Sequence, residues 1–513
     1  MTPITIHTGW PQRLLQLPSW LACLLALVAG AITPLSLAPI DLWPLAILGL
    51  IALALLVWRQ PGSAALLRSF CFGLGFFGMG TSWVFVSIYY YGGAPIPLAI
   101  LLTFVFVAFL ALVFSLPFYA LGRWWSQSSL ALLLAFPLLW LLGEWLRSWL
   151  LTGFPWLYLG YGHLDTWLAG WAPVAGVYGS GLVVLLTAGF LAQLALRAEW
   201  KPLLPWGLLV AALWLGGLGL RQVHWTQVDE QPLQVALVQP DIAQDIKWQD
   251  YYAQPTLELL LDLSEDHWDK DWIIWPEAAV PLTYHQALPF LNRINQKASD
   301  TGTGLITGII YDDRRDLRED RNTRYYNSLA GFGEALGIYH KRRLVPFGEY
   351  VPLENWLRGL IEFFNLPTSI ISLGPQQQGG LKVGQVSIAP AICYELAYPE
   401  LMARSAREAQ VLLNVSNLGW FGDSMGPPQF LQMGRMRALE TGRYLVYSTN
   451  NGVSALIDHQ GRIRAQTRAF TAESLAGSIY PAQGLTPFMH WGAWPLVLLA
   501  ALGLGISLRQ KSR

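Results

Sequence analysis

The chain has 513 residues, 53% of them hydrophobic and only 13% charged, with a formal net charge of zero. It is too apolar for an ordinary soluble protein, and the charge balance excludes a basic nucleic-acid surface. Neutrality conceals a split: 29 of the 33 acidic residues but only 22 of the 33 Lys and Arg lie between Val228 and Tyr480. That segment is acidic and suits water, whereas the basic flanks suit lipid.

Hydropathy marks spans near residues 19–35, 41–58, 66–88, 96–119, 128–147, 167–196 and 203–220, with a last one near 488–507. These predict about eight transmembrane helices, of which 167–196 is too long for one straight crossing and must tilt or leave the membrane. Arg13, the Arg59/Arg68 loop, Arg123, the Arg197/Lys201 loop and the Arg509/Lys511/Arg513 tail fall on one side under alternating threading. The cation-rich side is expected in the cytoplasm, which places residues 228–480 outside it. Glu144 and Arg147, three apart near the end of the fifth span, read equally as a compensated pair or as a headgroup contact.

The outer segment opens with the alternating run Leu233-Gln234-Val235-Ala236-Leu237-Val238-Gln239, a strand by its period of two. A helix near 252–265 and the strand Trp272-Ile273-Ile274-Trp275 follow, then a helix near 284–299 and a strand at 304–310. Residues 325–332 and 336–340 read as a hairpin. The strand 384–392 leads to a helix near 396–407, the strand 411–416, a helix at 428–441, the strand 444–449 and a closing pair at 452–458 and 462–468. Alternating strands and helices predict a layered α/β sandwich. Asp312 to Arg324 is a mixed-charge run expected to form a solvated loop.

Cys393 is the one cysteine of this outer segment; Cys23 and Cys71 lie within spans. A disulfide framework is therefore excluded, and a free thiol in an oxidising compartment needs a reason to exist. It sits where a strand gives way to a helix, a position expected to favour thiolate. Upstream come a carboxylate, Glu277, in Trp275-Pro276-Glu277 and an ammonium, Lys341, in His340-Lys341-Arg342-Arg343. Base, cation and thiol are the parts of a covalent acyl-transfer enzyme. Glu277 would take protons, Cys393 attack, and Lys341 hold the oxyanion, with the Tyr394 amide as a second donor. The eight histidines show no ligand spacing, and no phosphate loop or dinucleotide fingerprint appears, so neither metal nor cofactor is implied.

In order and context, Trp275-Pro276-Glu277, His340-Lys341 and Ile392-Cys393-Tyr394-Glu395 resemble the Glu-Lys-Cys triad of the nitrilase superfamily. Leu344-Val345-Pro346-Phe347-Gly348-Glu349-Tyr350-Val351-Pro352, Asn414-Val415-Ser416-Asn417, Trp420-Phe421-Gly422-Asp423 and Thr449-Asn450-Asn451-Gly452 more narrowly resemble the apolipoprotein N-acyltransferase family. So do Gln432-Met433, Arg435-Met436-Arg437-Ala438-Leu439-Glu440 and Phe154-Pro155-Trp156. The resemblance implies a multi-pass α-helical membrane protein carrying an extracytoplasmic nitrilase-like α/β sandwich (α-β-β-α). Its parts would be a membrane region at 1–227, a periplasmic catalytic domain at 228–482, and a last helix with its tail at 483–513. It implies residence in the bacterial inner membrane and transfer of a phospholipid acyl chain, with phosphatidylethanolamine as donor. The acyl chain would pass through the Cys393 thioester to the α-amine of a diacylglyceryl-modified apolipoprotein.

By the same resemblance, Glu349 and Glu395 support the triad, and Trp248, Trp420 and Phe421 meet substrate. The chain is read as a monomer in the bilayer. Leu418 and Phe430 stand where the family pattern leads one to expect Asp and His, on what is read as a substrate-facing surface. Trp356 to Phe364, within a segment at 353–378, reads as an interfacial arm or a core helix. Two rival readings are a membrane-tethered nitrilase-type amidase that hydrolyses small amides, which predicts a polar, water-filled pocket, and a lipoprotein-binding transporter or scaffold, which leaves the thiol expendable.

Overall fold

The computed structural model describes residues 9–197, 199–314, 323–346, 348–350 and 371–509. The chain divides into two compact units, one comprising the residues up to Ile88, Ala94–His224 and those from His490, the other Tyr89–Gly93 and Trp225–Met489. Trp356 to Phe364 and residues 315–322 lie outside the described residues, as does most of 353–378.

The first unit is helical. Among the described residues, five stretches are long and apolar enough to cross a membrane: Ser19–Ser36, Gly62–Gly80, Ile96–Trp125, Trp167–Leu196 and Lys201–Leu220. The apolar helices Pro44–Val57 and Trp494–Arg509 are shorter, and Phe136–Arg147 has 12 residues. All eight apolar runs thus contain helix, and five reach spanning length. The over-long run is not one rod. Trp167–Trp171 is a 3-10 turn, and the backbone of Ala172–Leu196 breaks at Ala175 and Gly176. Gly176 has φ +65°, an angle glycine adopts without a Cβ clash. Leu101, Phe104, Leu208 and Leu215 are exposed on two other helices, a surface suited to lipid tails.

Glu144 and Arg147 are both buried. Glu144 Oε1 accepts from Trp140 Nε1 at 3.1 Å and from the Leu159 amide at 3.3 Å. Arg147 Nη1 donates to Trp156 O at 2.6 Å, and its guanidinium lies 5.2 and 5.0 Å from the Phe77 and Tyr158 ring centres. The two side chains fasten the backbone of residues 156–159 to their helix, which is a structural task.

The second unit is a sandwich of two sheets. In the first, Leu233–Gln239 (β1), Trp272–Ile274 (β2) and Gly304–Asp313 (β3) run parallel, and Arg324–Gly333 (β4) and Ile338–His340 (β5) continue it antiparallel. In the second, Val386–Ile392 (β6), Val411–Ser416 (β7) and Leu445–Thr449 (β8) are parallel, followed by Ala455–Ile457 (β9) and Ile463–Gln466 (β10). Alternation decides the layering. Val235 and Leu237 of β1 join Ile388, Ile392, Leu413 and Val415 in the core between the sheets. Ala236 and Val238 face the other way, onto Leu257 and Leu260 of the helix Asp250–Ser264 and Phe290 and Ile294 of Leu288–Thr301. The helices Pro399–Ser405 and Gly426–Thr441 pack on the second sheet, completing four layers. A strand the sequence pattern does not announce, Glu473–Ile479 (β11), pairs antiparallel with β1 along its whole length.

Candidate active site

The three residues singled out from the sequence stand just beyond three strand ends. Glu277 follows β2 through Trp275 and Pro276. That segment is pressed against β3 by hydrogen bonds from Trp275 N to Ile306 O, 2.9 Å, and from Gly308 N to Pro276 O, 3.2 Å. A Cβ at Gly308 would collide with Pro276 O and Ala278 N, so glycine is required for this approach. Ala278 turns the chain with φ +45°, and Cys393 does so beyond β6 with φ +50°. Both are left-handed angles that non-glycine residues hold only under constraint from their surroundings. Lys341 leaves β5 with its amide bonded to Asn327 O at 2.9 Å.

The side chains converge in a buried cluster. Lys341 Nζ lies 2.8 Å from Glu349 Oε1 and 3.4 Å from Glu277 Oε1. Asn327 Nδ2 bridges the same two carboxylates, at 2.7 Å from Glu277 Oε1 and 3.1 Å from Glu349 Oε1. Glu277 Oε2 accepts from the Asn417 amide at 2.7 Å, and Glu349 Oε2 accepts from the Val345 amide at 2.8 Å. Burial by itself would lower the Lys341 ammonium, but Glu349, Glu277 and Cys393 outweigh it and hold it well above the ordinary lysine value.

Cys393 departs from the thiolate expected of a helix start. Burial pushes its thiol well above the usual value and Glu277 adds to this, while Lys341 and the Tyr394 amide, which donates to the sulfur, oppose. The turn Cys393–Ala397 is a 3-10 helix of five residues, too short to build much dipole. Desolvation wins, and the resting group is a thiol.

Glu395 is fully buried and acts as a clamp. It accepts from the amides of Ile392 (2.8 Å), Arg342 (2.7 Å) and Arg343 (3.2 Å) and from the Tyr339 hydroxyl (3.0 Å). Those bonds tie the segment after Lys341 to the turn that carries Cys393. Burial nevertheless raises its carboxyl, with the backbone donors and Lys341 opposing.

The three aromatic residues named from the sequence make contacts of other kinds. Trp248 is exposed, and Trp420 packs edge-on to Tyr91 at 5.7 Å. Phe421 packs beside Gly426, where a Cβ would meet its ring at 3.0 Å. Leu418 and Phe430 are both buried, the first against Gly452, the second 6.1 Å from the Tyr447 ring. Neither side chain lies on the exposed surface.

Asn327 was not singled out from the sequence, although a buried Asn in the middle of an aromatic strand is an unusual choice and a usable signal. Nor was Lys247, whose ammonium is buried beside Glu277.

Comparison with known proteins extends this picture. A family model described as the apolipoprotein N-acyltransferase N-terminal domain matches residues 29–190, and one described as carbon-nitrogen hydrolase matches residues 234–482. An apolipoprotein N-acyltransferase of Pseudomonas paraeruginosa is 46% identical over 510 residues, covering 98% of this chain and 99% of the relative. Those of Pseudomonas syringae pv. tomato and Vibrio parahaemolyticus are 44% identical over 501 residues (97% and 98% covered) and 39% over 493 (94% and 95%). Since the likeness runs through the apolar helices and the α/β sandwich alike, this chain belongs to the apolipoprotein N-acyltransferase family, acyltransferases of lipoprotein biosynthesis built on a carbon-nitrogen hydrolase domain.

Proposed function

We propose that Cys393 carries a fatty acyl chain from a membrane phospholipid to the α-amine of the diacylglyceryl-cysteine that begins an apolipoprotein. The observation that carries this reading is the buried cluster in which Lys341 contacts Glu277 and Glu349 while their charges act on the Cys393 thiol. A thiol that stays protonated at rest must lose its proton at the moment of attack, and Glu277 is the base that takes it in this reading. The sulfur then adds to the ester carbonyl, and Lys341 with the Tyr394 amide faces the oxyanion. Collapse breaks the ester C–O bond; the departing lysophospholipid alkoxide takes the proton from Glu277, leaving a thioester. In the second half the amine nitrogen attacks the thioester carbonyl, Glu277 takes an amine proton and returns it to the departing thiolate, and an amide remains.

Phosphatidylethanolamine is the donor in this reading, and Trp248, Trp420 and Phe421 line the approach of the two lipids. Residues 228–482 form the catalytic domain on the periplasmic side, held in the inner membrane by eight spans, seven before it within 1–227 and one after it within 483–513. A single chain suffices.

Intact-mass measurement of the purified protein incubated with phosphatidylethanolamine tests the proposal. We expect a fatty-acyl increment, removable by hydroxylamine and lost in Cys393→Ala. Hydrolysis of a soluble amide with no fatty-acyl increment from phospholipid would favour an amidase instead, and full lipoprotein-handling function of Cys393→Ala without any acyl transfer would leave only a binding role.

A further inference from the structure

Lys247 lies in the loop between β1 and the helix Asp250–Ser264, and its side chain is 1% exposed. Its ammonium makes one hydrogen bond, to the backbone carbonyl of Glu277 at 3.1 Å, and lies 5.9 Å from the Trp248 ring centre. Among the described residues no carboxylate comes within ion-pair distance of it. A buried ammonium without a partner is costly unless a nearby charge answers it. The groups facing Glu277 show which charge that is. Lys341 is a single ammonium held between two carboxylates, Glu277 and Glu349, while Cys393 is neutral and Asn327 and the Asn417 amide are uncharged donors. Glu395 has Arg342 at hand, bonded through its guanidinium to the same Tyr339 hydroxyl that meets Glu395. Two carboxylates thus face the one Lys341 ammonium, and the second ammonium near Glu277 is that of Lys247, at its backbone carbonyl.

We infer that Lys247 is a positioning residue that fixes the Glu277 backbone and sets a positive charge beside the Glu277 side chain that acts as base. Loop anchoring supports the assignment: Asn417, whose amide holds Glu277, also donates through Nδ2 to Gln244 at 2.6 Å, and Asn450 brackets Ile242 with two hydrogen bonds. The loop is thus tied at several points to the residues around the base. Burial pulls the Lys247 ammonium down to about 8 while the Glu277 charge holds it up.

The inference rests on Glu277 being the base, and the test separates the two. Single-turnover acylation of the full-length enzyme by a phosphatidylethanolamine with a fluorescent acyl chain is followed across acidic and neutral pH. Lys247→Gln keeps a donor for the Glu277 carbonyl but removes the charge. Its acid limb should move upward by about one unit or more, the scale on which a neighbouring charge shifts a carboxylate, whereas Lys247→Arg should restore the wild-type limb. A slower Lys247→Gln with an unmoved limb would reduce Lys247 to a packing residue and overturn the inference. Should Lys247→Gln fail to fold, judged by thermal unfolding, Lys247→Arg decides alone: a normal limb supports the inference, and a folded but inactive Arg variant overturns it. Acylation that survives Glu277→Gln would sink the base assignment itself.

Discussion

Around Cys393 two influences on a thiol oppose each other, and their sizes set the chemistry. Burial and the Glu277 carboxylate favour S–H; Lys341 and the Tyr394 amide favour S⁻. The first pair prevails, which suits an enzyme waiting in a membrane, because a permanent thiolate would react with any passing electrophile. A counter-intuitive outcome follows for Glu277→Gln. Acyl transfer should fall by a hundredfold or more, as expected when a general base is lost (roughly 10²–10⁴-fold). Alkylation of Cys393 by iodoacetamide at neutral pH should instead rise, by roughly tenfold for each unit the thiol falls, because a negative charge beside the sulfur has gone. Peptide mass spectrometry can read Cys393 apart from Cys23 and Cys71; slower alkylation of the variant would contradict this electrostatic account. At this scale the sequence discloses Glu277, Lys341, Cys393, Glu349 and Glu395, because each sits in a distinctive local string. It does not disclose that Asn327 bridges two carboxylates or that Lys247 is buried, since both facts arise only when distant segments meet.

The elements matter through where they end. Glu277 and Cys393 come just after parallel strands, and Lys341 just after β5, so short turns rather than long loops fix all three. The turn after β2 depends on a residue some thirty positions away, Gly308, whose missing Cβ lets Pro276 and Ala278 approach β3. Gly308→Val should force that turn outward and displace Glu277. We expect destabilisation of about 1–3 kcal/mol, the usual cost of overpacking, and acyl-enzyme formation reduced far more than the melting temperature alone would explain. A variant that melts lower yet acylates at the wild-type rate would show that Glu277 needs no such support. Most strands and helices of the sandwich are legible from period and length. The strand Glu473–Ile479 is not: Ala476, Gly477 and Ser478 give it little β-propensity, and it exists because β1 offers an edge to pair with. The break at Gly176 is likewise hidden from hydropathy, which records an apolar run and not its backbone angles.

On the scale of the whole molecule, charge and apolarity are sorted into different parts of one chain. Nearly all the acidic residues belong to the sandwich, while the helical unit carries exposed Leu and Phe and basic loops. In our reading that sorting is also the orientation: loops rich in Lys and Arg resist translocation, so they stay in the cytoplasm and the sandwich faces away from it. The proposed reaction requires the sulfur and its acceptor amine to lie on the same side of the membrane. Cysteines introduced at exposed sites test the arrangement, with a membrane-impermeant maleimide applied to intact spheroplasts. Asp300→Cys, on the sandwich surface, should label without permeabilisation, and Arg13→Cys, ahead of the first span, only after it; both sites are exposed. Cys23 and Cys71, half-buried in apolar helices, serve as internal controls that stay dark in either case. The reverse pattern would invert the topology, place Cys393 on the wrong side of its acceptor, and overturn the proposed reaction however well the buried cluster is built.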